Sequence, residues 1–477
     1  MTPQALIILI LWFPFTIFLC ATLPIRRAIA ISFLGAFLFL PSRAGVALPL
    51  IPSYDKLTST YYALMVGIAI FDRQSILKYR FHIIDLSIIV YFSVDIITSL
   101  SNGLGLYDGI SQCLRTFFRW GIPYFLGRIY FNDFKHLKNL AILTIQAGII
   151  YVPLCLWEIK MSPHLHRVLY GYFSHPSGVN QQIRSFGLWR PIVFTGHGLV
   201  ASLFMLFAFF LAFWVWQSKT VDKIWGVNIS LWTFLIGFTF VMMQSRGTYV
   251  YFIIMAGIFI SAKYLKSNFA YLLVLSLMIY YMYSVASGLF DGIQIVSWIA
   301  KNVSPERAQS LAFRWDNEQD MAAKARLQPL FGWGNWGRNR VYAYDWKGEI
   351  VDTSVTDSIF MLTYGVNGLV GVVSFYTTIL LPSSLFCLRK YPVKTWFHPK
   401  IGPAVALALF SLIFCLDTLL NAPLQPLLML SCGAIAGLVV KPTESLTMPK
   451  GIGTGSTQGV GSALPLGKTA PTFIHRR

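Results

Sequence analysis

The residues with the most chemical potential are arginines in unusual places. Arg115 and Arg119 stand four apart inside the apolar run "ISQCLRTFFRWGIPYFLGRIYF", where helical spacing gives them a shared face. A guanidinium in such a run is costly and normally turns toward a bundle interior or an aqueous cavity. Arg184 and Arg190 in "RSFGLWRP" and Arg246 in "QSRGTY" place more cations at the borders of other apolar runs. Together they predict a positive vestibule suited to phosphate or pyrophosphate, because each guanidinium can bind two oxygens at once. Asp357 is the first candidate to take a proton from a hydroxyl, with Glu318 and Asp320 in reserve. Two questions stay open. Arg115 and Arg119 either hold an anion or pair with Asp85, Asp95 or Asp108, and Asp357 is either a base or the N-cap of the next helix. Arg128, later in the same run, is expected to snorkel.

A second group lies in "PLFGWGNWGRN", residues 329–339. Trp333 and Trp336 flank glycines in a polar stretch, so they either stack on a sugar face or pack the loop onto the rest of the protein. The glycines are expected to let this loop fold over the vestibule. Trp333 and Trp336 would then meet sugar, with Arg338, Arg340 and Arg314 as further glycan contacts.

These residues need a scaffold, and composition says which kind. Of 477 residues, 56% are hydrophobic and only 12% charged, more apolar surface than a soluble domain can bury. The expected fold is an all-α polytopic membrane protein with twelve to fourteen spans, many near the roughly 20 residues needed to cross a bilayer. One span is read over 190–216. Residues 1–440 form the membrane domain, and residues 287–357 an outer loop within it. A net charge of +19 excludes little by itself, but its placement orients the chain. Arg26–Arg27, Arg73/Lys78/Arg80, Lys135/Lys138, Lys219/Lys223, Lys263/Lys266 and the 389–400 group fall on alternate short loops. The positive-inside rule makes those loops cytoplasmic, leaving 159–189 and 287–357 outside and nothing that calls for nucleic acid. Within the outer loop, 313–327 reads as a helix with Phe313, Met321 and Leu327 on its apolar stripe, stopped by Pro329. The Gly/Ser/Thr/Pro-rich tail, 441–477, reads as disordered and cytoplasmic. Six cysteines in or beside apolar runs, with no C-x-x-C pair, predict buried thiols and no metal centre.

"RSFGLWRP", "MMQSRGTYV", the helix leading into "PLFGWG", and "TDSIFMLTYGVNGLVG" recur in this order in the O-antigen ligase and polymerase superfamily of bacterial envelopes, which residues 110–440 resemble. The resemblance implies an inner-membrane glycosyltransferase, working at the periplasmic face without cofactor or metal. It would move a glycan from an undecaprenyl-diphosphate carrier to an acceptor glycan, with a chain-length regulator and a flippase as conceivable protein partners. It also implies that the R-x-x-G and S-R-G arginines, here Arg184 and Arg246, serve the diphosphate. Family ligases often carry a histidine–asparagine pair where this chain has Asp357–Ser358, and that departure favours a polymerase over a ligase acting on lipid A core. A transporter of lipid-linked glycan is the rival, although no internal repeat supports it.

Overall fold

The computed structural model describes residues 2–48, 51–175, 179–290, 292–302, 304–354, 357–422, 425–444 and 446. The protein is an all-α polytopic membrane protein. Among the described residues the only strands are three two-stranded hairpins of two or three residues per strand. Seven helical segments have the length and apolarity to cross a membrane: Pro3–Thr22, Ile83–Ser101, Phe134–Met161, Gly198–Gln217, Phe269–Ser287, Ile359–Lys390 and Gly402–Leu420. Thr58–Phe71, Ile229–Met242 and Pro426–Val440 are equally apolar but only 14 or 15 residues long. At 1.5 Å per residue such a helix reaches about 22 Å, short of a hydrocarbon core of about 30 Å. The other expected spans fall on these short helices and on Ile25–Phe39, the interrupted stretch 106–130 and Arg246–Lys263.

Gly198–Gln217 and Gly402–Leu420 form the centre, buried on nearly every side. Neither has a polar stripe, as expected of helices enclosed by other helices. Alanines at 404, 406 and 408 on the second keep its neighbours close. The span expected over 190–216 begins only at Gly198; residues 190–197 are irregular, and His197 caps the helix by accepting a hydrogen bond from the Leu199 amide at 3.1 Å.

Two segments build the region where the predicted outer loops converge. The first, between Met161 and Gly198, is anchored by Glu158. This fully buried carboxylate accepts backbone N–H bonds from Leu165 (3.0 Å), Ile192 (2.8 Å) and Val193 (2.7 Å). The second contains Ile293–Asn302, Pro305–Arg326 and a hairpin pairing Tyr342–Tyr344 with Ile350–Asp352. The Pro305–Arg326 helix starts earlier than the expected 313–327, with proline in its first turn. Its buried face carries Ala308, Glu318, Met321, Ala322 and Ala325, whereas Phe313 and Leu327 are exposed.

The glycine-rich stretch after this helix pairs with a broken helix. Ile359–Ser384 is interrupted at Gly368, where φ is +64°. Four backbone bonds join the interruption to the loop: Leu369 N–H to the Pro329 carbonyl, Val370 to Leu330, Trp333 to Gly365 and Gly334 to Val366, at 2.8–3.2 Å. Thr98 and Asn102 add side-chain bonds to the carbonyls of Phe331 (2.6 Å) and Gly332 (2.9 Å). A Cβ on Gly332 or Gly368 would collide with the facing backbone, and both have positive φ. The loop thus satisfies the groups freed by the break, which apolar surroundings would otherwise leave unpaired.

Candidate functional site

The site is assembled from four separate stretches of chain. Arg184 stands on a tight turn whose ends are joined by the Arg184 N–H to Leu188 carbonyl bond (2.9 Å) and the Ile183–Trp189 bridge. Gln244 fastens this turn to the start of the next helix. Its Oε1 accepts from the Ser185 amide at 3.1 Å, and its Nε2 donates to the Ser185 carbonyl at 3.4 Å. Two residues later Arg246 opens the helix Arg246–Lys263. The two motif arginines therefore meet through one glutamine.

Around them lies a cavity of about 950 Å³, also lined by Arg190, Arg314, His197, Tyr251 and Asn421. Arg190 is almost buried and donates from Nε to Gln182 Oε1 at 2.8 Å. Burial, with Arg184 nearby, pulls its pKa down to about 9, so it remains a cation at neutral pH. Arg184 is shifted down by burial and then by the charge of Arg246. Burial and Arg190 lower His197 to about 4. Its neutral ring accepts at Nδ1 from Leu199, which leaves Nε2 as the donor. Among the described residues, none of Arg184, Arg190, Arg246 or Arg314 forms an ion pair. Four cations without carboxylates in its lining give this cavity a positive wall suited to an anion, and the amino end of the Arg246 helix adds its dipole.

A smaller cavity of about 90 Å³ adjoins the first, sharing Arg314 and Leu420. It is lined by Glu318 and Asp357. Glu318 lies one turn after Arg314 on the same helix. Tyr281 donates to its Oε2 at 2.6 Å, while the buried Oε1 has no hydrogen-bond partner among the described residues. Burial raises its pKa to about 7, partly offset by the Tyr281 bond. Asp357 is exposed, and it is not the N-cap: Ser358 takes that position, its Oγ accepting from the Met361 amide at 3.2 Å. Asp320 is exposed and lines neither cavity.

Other expected site residues lie elsewhere. Arg115 stacks on Trp336, 4.5 Å from the ring centre, and Arg119 lies over Trp120. A π-helical turn over Phe117–Gly121 breaks the regular spacing expected between them. Neither pairs with the three candidate acids: Asp85 binds Arg128 (3.2 Å), Asp108 binds Arg338 (3.0 Å), and Asp95 accepts from Thr116 and Asn367. Arg128 is thus buried in an ion pair and does not snorkel. Arg340 pairs with Asp352. Trp333 donates its indole N–H to the Lys324 carbonyl at 2.9 Å, and neither tryptophan lines the arginine cavity. Of the expected glycan contacts only Arg314 does.

Sequence places Arg190 in the positive vestibule, and the structure agrees; His197, Gln244 and Tyr251 carry no such signal in the sequence, nor does Asp417 enter the expected site. That carboxylate is buried at the end of Gly402–Leu420 and accepts from Asn421 Nδ2 at 2.7 Å. An acid inside an apolar run is the signal that would have found it.

A multi-pass membrane protein with an arginine-walled cavity beside a buried carboxyl is the class that this fold and these residues define. Residues 229–376 match the family described as O-antigen ligase, a similarity that supports the resemblance to the O-antigen ligase/polymerase superfamily. The matched stretch includes Arg246, Arg314, Glu318, Asp357 and the helix break at Gly368, while Arg184 and Arg190 precede it. No curated protein and no solved structure matches the chain.

Proposed function

We propose that the protein is a polysaccharide polymerase that transfers a glycan from a polyprenyl diphosphate, undecaprenyl diphosphate in a bacterial membrane, to the end of an acceptor glycan. The similarity to the O-antigen ligase family supports a ligase/polymerase-type membrane enzyme with glycosyltransferase-like chemistry. The observation that carries the finer reading is the cavity walled by Arg184, Arg190, Arg246 and Arg314 with no acid paired to them among the described residues. Such a site fits a diphosphate, whose leaving oxygen gains charge as the glycosidic bond breaks.

In this reading the acceptor hydroxyl attacks the anomeric carbon of the donor. The carbon–oxygen bond to the diphosphate breaks, and its electron pair leaves with the polyprenyl diphosphate into the arginine cavity. The hydroxyl proton passes to Glu318, with Asp357 at the same small cavity placed to orient the acceptor. Polymerisation is preferred to ligation because Asp357–Ser358 stands where family ligases often have histidine and asparagine. Charge placement supports a site on the periplasmic side of the inner membrane.

The test is purified protein in nanodiscs with radiolabelled undecaprenyl-diphosphate oligosaccharide, products being separated by size. A ladder made by the native protein and lost in Arg246→Ala is expected. Transfer only to added lipid A core would make it a ligase, and binding without any change in size would overturn the enzymatic reading.

A further inference from the structure

A second charged cavity lies at the other end of the molecule. The helix Phe134–Met161 carries Glu158, and so the arginine cavity's anchor, near its last turn. Its first turns line a separate groove of about 350 Å³. A 28-residue helix is about 42 Å long, so the groove and the anchored segment lie at opposite faces of the membrane.

The groove's mouth is basic and its wall is mostly apolar, with Asn139 and Gln146 also in the lining. Arg26 and Arg27, on the opening turn of Ile25–Phe39, are exposed at the mouth. Arg26 donates from Nε to the Tyr130 carbonyl at 3.0 Å, which holds the guanidinium against the end of Ile122–Tyr130. Its terminal nitrogens have no hydrogen-bond partner among the described residues, and neither arginine forms an ion pair. The nearby carboxylate of Asp133 is occupied: it caps Phe134–Met161 through the His136 amide and also pairs with the His136 ring. Behind the mouth, Leu140, Ile142 and Leu143 continue along the spanning helix, the last two partly exposed. A cationic rim at the membrane boundary, leading into an apolar wall that follows a spanning helix, matches an amphiphile with an anionic head.

We propose that this groove binds an anionic phospholipid, its phosphate between Arg26 and Arg27 and an acyl chain along Leu140 and Leu143. Charge complementarity selects the head group: two arginines with no paired acid favour phosphatidylglycerol or cardiolipin over a zwitterionic lipid. The acyl wall distinguishes a lipid from free phosphate. The site is separate from the proposed catalytic cavity and does not depend on what that cavity transfers.

The test uses the full-length protein stripped of lipid in detergent and titrated with phosphatidylglycerol or phosphatidylcholine, bound lipids being counted by native mass spectrometry. At least about tenfold preference for phosphatidylglycerol is expected, falling to less than about threefold in Arg26→Gln/Arg27→Gln. Arg26→Lys/Arg27→Lys should retain most of the preference, and unchanged melting of both variants would show that folding is intact. A second variant, Leu143→Gln, should weaken binding of long-chain but not very short-chain lipid. No preference in the native protein, or a preference untouched by removing both charges, overturns the proposal. So does full competition by millimolar inorganic phosphate, which would make the groove a site for a soluble anion.

Discussion

Glu318 is the residue on which the proposed chemistry turns. Burial lifts its pKa to about 7, so the carboxyl is largely protonated below neutral pH and ionised above it. A base works in the ionised form, so kcat/KM should rise with pH and level off above about 7. Glu318→Gln should lose about 100- to 10,000-fold in rate and, in any residual activity, that acidic limb. A limb that survives in Glu318→Gln would assign the proton to another group, with Asp357→Asn the next variant to profile. Arg246→Ala should lower kcat by about 100- to 1,000-fold, and Arg246→Lys should recover only part of it, since a lysine cannot grip two oxygens side by side. The motifs made Arg184 and Arg246 legible in the sequence: Arg184 stands three residues before Gly187, and Arg246 directly before Gly247 at the start of an apolar run. Trp333 and Trp336 were harder to read. Their partners, the Lys324 carbonyl and Arg115, are set by tertiary contacts that spacing does not reveal.

Glu158 shows how an element far down the chain sets the geometry of the site. Its three backbone bonds hold the stretch from Leu165 to Val193 against Phe134–Met161, and Arg184 and Arg190 hang from that stretch. Glu158→Ala should strand three buried amides at a cost of about 1–3 kcal/mol each where water does not enter. Hydrogen exchange should then quicken across 163–195 while the central helices stay protected. The broken helix makes a similar demand. Gly368→Ala places a side chain against the Leu330 backbone at a positive φ, so loss of folded protein in detergent, read by fluorescence-detected gel filtration, is the expected result. Helix existence was legible from hydropathy, and the Pro329 stop was visible too. The interruption at Gly368 was not, because "YGVNGLVG" alone reads as an ordinary apolar helix and the break is stable only with a loop to pair with it. The late start at Gly198 escaped for the same reason: residues 190–197 are apolar enough to look helical, but a buried glutamate holds them open.

At the scale of the whole molecule, two basic cavities occupy opposite ends of one helical bundle. Their placement can be checked with a thiol probe. The six native cysteines are buried or half-buried, so they should react slowly with a membrane-impermeant maleimide, and serine can replace them. In that background Phe186→Cys, at a side chain 93% exposed beside Arg184, should be labelled on intact cells. Lys135→Cys, near the Arg26–Arg27 groove, should react only after the membrane is opened. Labelling of both from the same side would refute the proposed orientation. The backbone pairing of residues 329–334 with 365–370 has a different consequence, for recombination. Gly332 faces the backbone of Val366 and Asn367, and Gly368 that of Leu330 and Phe331, with no room for a Cβ, so the two stretches must be inherited together. A chimera that takes its loop from one homologue and its helix from another should fail to accumulate, whereas one that carries both from the same parent should mature normally.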